Sequence, residues 1–546
     1  MINGVAETME DLPSEMKDLY KKAKDIILEN DDIMIYSHTD CDGISSGAIL
    51  TTILERIGKD YDIDFVSLDK LEDLPIDHTL TIFSDLGSGQ PVEKNATEDS
   101  NIIILDHHPP LRDKNYRNTA DCNFLEINPM HYGINGTYYI CGGGLCYYLA
   151  KEFGFDDLSW IGVLSAVGDM QNTHTGKMEG LNKLILQDAI DNGLVKRNSD
   201  LSLYGRETRP LYVALSYFSD VNLPITNSKT ECIALLDELD IPRKKDCIEV
   251  LNDSIVPAEY KQECESVLIE LGIEHKSVSD CVSIIEESDI SDDIKDDCLT
   301  VLRSLGDRFR TLADLTNSEK SRLFSALVKM LSREVPGKYV KYIPKLVAAD
   351  TFEFLKEEDH TFLRDAAEFS TAMNACVRNN EDFVALEILK GNRDVALDKL
   401  EVISRNHRRY LATHIQLIPD MDALVQMDNI QYFDGTNLST PEDKGSGIRT
   451  TVIGTITGMV LSYGDWRKPI LGFVPLEDNP NILKISLRCS RLLAYDGVHF
   501  GNIIREVARS LGGNGGGHAV ACGAYIPIEY KDEFLNDFNE MLYGKL

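Results

Sequence analysis

Three short apolar runs in this 546-residue sequence stop at acids and histidines. Ile33 to Ser37 leads into His38-Thr39-Asp40-Cys41-Asp42-Gly43, and Leu80 to Ser84 leads into Asp85. Ile102 to Leu105 leads into Asp106-His107-His108-Pro109-Pro110. Carboxylates and imidazoles at the end of a buried strand are costly to place unless something compensates them. A divalent cation is the partner these residue types suit. The carboxylate majority favours Mn2+, or Mg2+, over zinc, which takes fewer and softer ligands. Gly168-Asp169, directly after the apolar Trp160 to Val167, is a fourth contributor. So many donors exceed what one ion needs and fit two ions that share a carboxylate. Such a pair suits phosphoryl transfer, because it polarises a phosphoryl oxygen and neutralises the leaving one.

The elements that would position these side chains follow from the pattern. Four consecutive apolar residues before Asp106 read as a strand buried on both faces, and two prolines prevent the ladder from continuing. In parallel α/β sheets all the strands' carboxyl ends lie on one edge, where ligands bind. Three such strands bring His38, Asp40, Asp42, Asp85, Asp106, His107 and His108 together. Met16 to Leu28 reads as an amphipathic helix, Ile44 to Ile57 as the crossover helix and Phe65 to Leu68 as the next strand. The 110s and 120s are loop-rich, and Gly133 to Gly136 is a turn. Thr137 to Phe153 resumes a helical pattern through Gly142-Gly143-Gly144. Those glycines suit a close helix–helix approach. A phosphate-cradling loop would carry the lysine of a P-loop, which is missing here.

The middle of the chain repeats. Cys232, Cys264 and Cys298 recur at roughly thirty-residue intervals, each before a Leu-Leu or Val-Leu pair. Each unit reads as a short helix, a turn and a second helix with its cysteine on the apolar stripe. Ser318 to Leu331 resembles a degenerate fourth copy. Cysteines so far apart and without histidine partners are core residues rather than metal ligands. Asp394 to Ile418 reads as a long helix carrying Arg405, His407, Arg408 and Arg409, with a solvated face as its plain explanation. Thr450 to Val460, Ile470 to Val474 and Ile482 to Leu487 read as strands. A helix from Asn502 to Leu511, a glycine loop and a last strand near Ala524 complete a compact C-terminal α/β domain.

Lys plus Arg number 55 and Asp plus Glu 90, a formal net charge of −35. That balance excludes a general coat of nucleic-acid affinity but leaves room for a local basic groove. No apolar run approaches the ~18 residues of a membrane span, and no signal-peptide pattern opens the chain. A cytoplasmic protein without a membrane partner is expected. The 12 cysteines are scattered without a CxxC pair, as in a chain of reduced thiols.

Taken together, His38-x-Asp40-x-Asp42-Gly43, Asp85, Asp106-His107-His108 and Gly168-Asp169 resemble the ordered motifs of the DHH phosphoesterases. Gly512-Gly513-Asn514-Gly515-Gly516-Gly517-His518 resembles the glycine-rich loop of their DHHA1 domain. Within the family the chain is most similar to RecJ-type single-strand exonucleases, particularly the archaeal, GINS-associated ones. Tyr204 to Pro210 and Met373-Asn374-Ala375-Cys376-Val377-Arg378 carry that likeness, with Val377 where the RecJ motif has glycine. The resemblance implies an α/β fold, with a parallel-sheet DHH catalytic domain (1–224) and a smaller C-terminal α/β DHHA1 domain (429–546). A helical insertion (225–340), a return to the catalytic edge (341–393) and a connecting helix (394–428) lie between them.

It further implies His38 and Asp40 on one ion, Asp42, His107 and Asp169 on the other, and Asp85 bridging. His108 would face the scissile phosphate, with Asp106 orienting an imidazole. Asn374, Arg378, Arg488, Ser490, Gly515, Gly516, Gly517 and His518 would bind substrate. The implied activity is manganese-dependent removal of nucleotides from single-stranded DNA, 5′ to 3′, or from RNA, in replication or repair. A nanoRNA or cyclic-dinucleotide phosphodiesterase and a GINS-binding replication scaffold are the alternatives. The sequence itself leaves polarity, sugar preference, partner and oligomeric state open.

Overall fold

The computed structural model describes residues 11–114, 116, 122–252, 258–273, 276–443 and 445–546. The loop-rich stretch expected in the 110s falls partly outside them.

Five strands, β1 (Ile33–His38), β2 (Tyr61–Val66), β3 (Leu80–Ser84), β4 (Asn101–Leu105) and β5 (Asn123–Ile127), form a parallel sheet. Their order is β2-β1-β3-β4-β5. The chain turns to one side after β1 and to the other at β3, so the crevice between their carboxyl ends is the sheet's switch point. Register decides what meets there. Ser37 pairs with Ser84 and Ser84 with Leu105, so the next residues, His38, Asp85 and Asp106, emerge at one level. Side chains alternate between two apolar layers. Ile33, Ile35, Ile103 and Leu105 face the larger core, while Met34, Tyr36, Ile102 and Ile104 face the smaller one.

The larger core is covered by α1 (Ser14–Glu29), α2 (Cys41–Ile57), α3 (Gly142–Glu152) and α4 (Ser159–Gly168). The crossover helix starts three residues before Ile44 because Asp40 caps it, its Oδ1 accepting the Gly43 N–H at 2.9 Å. β2 likewise starts before Phe65, at Tyr61, and ends at Val66. The helix expected from Thr137 begins only at Gly142, where the first-turn N–H groups find a carboxylate acceptor. After strand Val195–Leu201 the chain leaves for the helical segment and returns antiparallel to it as Ala348–Phe354. Helix Ala366–Val377 then packs beside Trp160 of α4 through Phe369.

The helical segment corrects the expected repeat. Its unit is a single helix at half the expected period. Cys247, Cys264, Cys281 and Cys298 each sit in a separate helix and are buried together in one small core. Cys247 and Cys281 are disulfide-bonded, with Cα atoms 6.7 Å apart, where reduced thiols were expected throughout; stacked repeats bring equivalent positions face to face. The ten other cysteines are buried.

The C-terminal sheet has six strands, from Asn514–Gly517 at one edge through Ala521–Pro527, Ile482–Arg488, Ile470–Pro475 and Gln431–Asp434 to Val425–Gln426. Thr450 to Val460 is not a strand. Ile453–Val460 is a helix whose glycine face lies close on Arg488, so tertiary packing overrides the β-branched run. The supposed glycine loop is itself the edge strand Asn514–Gly517.

Leu302 is fully buried in the small helical core. Leu302→Ala should cost about 2–5 kcal/mol. The loss should be local, and hydrogen exchange should show lost protection in 247–305 with the parallel sheet still protected.

Candidate metal centre

The donors expected at the sheet edge converge. Asp85 stands between two groups, each with its ligand atoms mutually within 4.8 Å: His38, Asp40 and Asp85, and Asp42, His107 and Asp169. A third grouping, Asp85 with His107 and His108, overlaps both. Asp85 Oδ2 lies 3.4 Å from His38 Nδ1, and Asp85 Oδ1 lies 3.1 Å from His107 Nε2. One oxygen therefore addresses each group. Asp85 is 1% exposed and adopts φ 62°, a left-handed conformation uncommon for a non-glycine residue. The strained turn aims the carboxylate back over the strand ends.

The protonation logic points to a cation. His107 Nδ1 sits 2.7 Å from the Gly136 carbonyl, so it must carry the proton and donate it. Nε2 of the neutral ring then turns a lone pair toward Asp85 and toward Asp42 Oδ2, 3.4 Å away. Lone pair facing lone pair in a buried site is repulsive, and either a proton or a metal ion between them relieves it. His38 Nδ1 shows the same frustration: it is buried, makes no hydrogen bond, and lies 3.1 Å from Asp40 Oδ2. Burial lowers the pKa of both imidazoles. The surrounding carboxylates override it and hold His38 and His107 well above the usual histidine range. Burial first, and Asp85 next, drive the Asp42 carboxyl well above its ordinary value. The donor set fits divalent cations.

Asp42 is held by a built cradle. Its Oδ2 accepts the Gly142 N–H and its Oδ1 the Gly143 N–H, both at 2.8 Å, while the Ser165 hydroxyl donates to Oδ1. The N-terminus of α3 is where a carboxylate is favoured. The glycines are required there, because a Cβ on Gly142 would lie 2.6 Å from Asp85 Cβ and one on Gly143 2.3 Å from Ser165 Oγ. Asp169, by contrast, caps the C-terminal end of α4, where a negative charge is disfavoured. Although burial opposes it, His107 and then His518 keep this carboxyl below its usual range. Gln171, absent from the sequence reading, donates to Asp169 Oδ2 at 2.8 Å and to the carbonyls of Gly136 and Ile140. No motif announces it, since its partners come from another loop.

Asp106 faces inward, accepting the Ser88 N–H at Oδ2 and engaging His108 Nδ1 at Oδ1, 2.8 Å away. The His108 side chain is 44% exposed, the most open of the triplet.

The other expected residues divide. Arg378 lies close enough to Arg488 to feel its positive charge. Burial first, then Arg488, brings Arg378 down to about 10. Neither has an ion-pair partner among the described residues. Asn374 Oδ1 accepts the Cys41 N–H at 3.1 Å, so it braces the His38–Asp42 loop. Ser490 is 0% exposed and caps helix Arg491–Tyr495. Gly515, Gly516 and Gly517 pair with Ala521–Pro527 and pack against helix Phe500–Ser510. At Gly517, φ 122° and the Cys522 backbone 2.8 Å from where a Cβ would lie exclude a side chain. His518 reaches across to the first domain, its Nε2 3.3 Å from Asp169 Oδ1.

Residues 32–166 match the DHH family N-terminal domain, 203–286 the DHH-CID domain and 443–544 the DHHA1 domain. The chain belongs to the DHH family, with these three domains in that order. Its DHH and DHHA1 domains support hydrolysis of phosphoester bonds. An uncharacterized protein of Methanocaldococcus jannaschii is 27% identical over 541 residues, 97% of this chain and 98% of that one. The fold resembles CDC45 from Entamoeba histolytica, with a TM-score of 0.52 at 14% identity over 97% of this chain and 99% of that one. RecJ from Thermus thermophilus, in complex with Mn2+, gives a TM-score of 0.48 at 12% identity over 98% of this chain and 56% of that one. No helix among the described residues is long and apolar enough to cross a membrane.

Gly143→Ala should displace Ser165 and tilt Asp42. Titration calorimetry with Mn2+ should show affinity falling about ten- to a hundredfold, the usual cost of disturbing a ligand's support. Gly337→Ala, whose Cβ meets nothing within 4 Å, is the control.

Proposed function

We propose that the chain is a two-metal phosphodiesterase that removes nucleotides from an end of single-stranded nucleic acid. The observation that carries this reading is Asp85, whose two oxygens face two separate donor groups, with the unpaired Arg378 and Arg488 nearby. In this reading His38 and Asp40 hold one ion, Asp42, His107 and Asp169 the other, and Asp85 both; Mn2+ is favoured and Mg2+ suits the same set. When bound, the ions supply Lewis acidity to the phosphoryl group and lower the pKa of water.

The chain's own residues do the rest. Arg378 and Arg488 offer guanidinium forks to the scissile phosphate, a charge-assisted contact that also orients it. His108, its Nδ1 engaged by Asp106, presents the ring's other nitrogen to the leaving oxygen and can deliver a proton there. His518 steadies Asp169 and thereby joins the C-terminal domain to the centre. Sequestered donors between two domains admit a flexible strand more readily than a stiff duplex. A small-substrate phosphodiesterase would share the metal chemistry, but additional arginines beyond the centre favour a polymer. Fold likeness to CDC45 makes a scaffold role compatible, and the complete donor set favours catalysis.

EDTA should abolish hydrolysis and Mn2+ restore it, with Asp85→Asn the most damaging single change because it weakens both ion positions. End-labelled linear single strands should release mononucleotides, and a closed circular single strand should resist. Equal cutting of the circle would remove the requirement for an end.

A further inference from the structure

In a chain of net charge −35, a fixed arginine without a carboxylate partner needs an explanation. Arg449 is one. Its Nη1 donates to Asn379 Oδ1 at 3.2 Å, and its Cζ lies 4.2 Å from the centroid of the Tyr410 ring. Its backbone N–H donates to the Tyr410 hydroxyl at 3.1 Å. Its Nε is buried with no hydrogen-bond partner, and no ion pair to it occurs among the described residues. Neutral groups thus hold the guanidinium in position without cancelling its charge. A buried, unsatisfied N–H on a charged group is costly, and a guanidinium kept here without a carboxylate favours an anion beside it.

The position relative to the metal centre narrows the anion. Arg378 lies within electrostatic reach of Asp40 at the centre. On its other side, His407 feels both Arg378 and Arg449. His407 is buried on the long helix Val395–Asp420, and burial, followed by those two guanidiniums, brings it down to about 4. It is therefore a neutral spacer, leaving the arginines as the cations. The Thr451 hydroxyl donates to the Arg378 carbonyl at 3.0 Å, tying the Arg449 loop to the same helix end. Arg378 and Asn379 are consecutive, so one helix terminus serves both arginines. Arg378 and Arg449 thus share one positively charged neighbourhood, and Arg378 is within electrostatic reach of Asp40.

We propose that Arg449, seated on Tyr410 and Asn379, is a binding site for an internucleotide phosphate of a single strand, beyond the phosphate being cleaved. The assignment rests on the exonuclease reading above and makes a second nucleotide linkage part of recognition. The guanidinium fork binds the phosphodiester without reading bases, so the site is sequence-tolerant.

The test uses the full chain and needs no turnover. Binding of a labelled single-stranded oligomer of roughly a dozen nucleotides, longer than many single-strand sites, is followed by fluorescence anisotropy in EDTA across a salt series. Arg449→Ala should weaken binding roughly tenfold or more and reduce the salt slope by about 0.7, the share of one phosphate contact on a single strand. Arg449→Lys should recover the slope but not the full affinity, because it keeps the charge and loses the fork. Arg449→Gln, which keeps a side-chain donor for Asn379, replaces the alanine variant if that one fails to fold. With Mn2+, the loss in kcat/KM should be at least about tenfold larger on the oligomer than on a dinucleotide. An unchanged salt slope, or equal losses on both substrates, overturns the assignment. Wild-type enzyme that hydrolyses the dinucleotide but not the oligomer overturns instead the exonuclease reading on which it rests.

Discussion

The structure depends on one electrostatic constraint: Asp85 and Asp42, which are 1% and 2% exposed, must coexist beside Asp169 and Asp40 in a small volume. Like charges at such separations in a poorly solvated site cannot all remain ionised without compensation. Much of the local architecture serves to hold them there. The register of three strands puts their carriers at one level, and the left-handed turn at Asp85 aims its carboxylate. Two glycine N–H groups and a serine hydroxyl grip Asp42. Remove the compensating cations and the imidazoles must take up protons instead. That outcome is written in the upward shifts of His38 and His107.

The same constraint explains why the two domains meet where they do. His518, from the turn after the glycine strand, lies 3.3 Å from Asp169, so the C-terminal domain contributes directly to the charge balance of the first. Arg488 comes from that domain and Arg378 from the helix that packs on α4, and the two guanidiniums oppose each other as well as the carboxylates. A region with four carboxylates and, nearby, arginines without an ion-pair partner among the described residues suits a ligand that is both anion and metal ligand. A phosphodiester is both.

How much of this was readable in the sequence depends on the range of the interaction. Strand-end acids and histidines were legible because apolar runs fix both the strand and its last residue, and a parallel sheet does the rest. Their partners were not: the crossover helix was expected only from Ile44, so its cap Asp40 went unread, and Asn374 bracing Cys41 spans 333 residues and left no local trace. Gln171 was missed for the same reason, since two of its acceptors, the Gly136 and Ile140 carbonyls, lie on a different loop. Gly515 to Gly517 looked like a loop because glycine composition does not distinguish a loop from a tightly packed edge strand. Ile453–Val460 looked like a strand because its β-branched residues outweighed glycines spaced for helix packing. The repeat was visible, but its period was doubled by following Cys232, Cys264 and Cys298 rather than the cysteine in every helix.

The central claim is that Asp85 is shared by two cations. Anomalous diffraction at the manganese edge from crystals soaked in Mn2+ tests it without recourse to activity. The account predicts two anomalous peaks about 3.5–4 Å apart, one beside His38 and Asp40, the other beside Asp42, His107 and Asp169, with Asp85 touching both. A single peak at saturating Mn2+, or two peaks with Asp85 bound to only one, would contradict it.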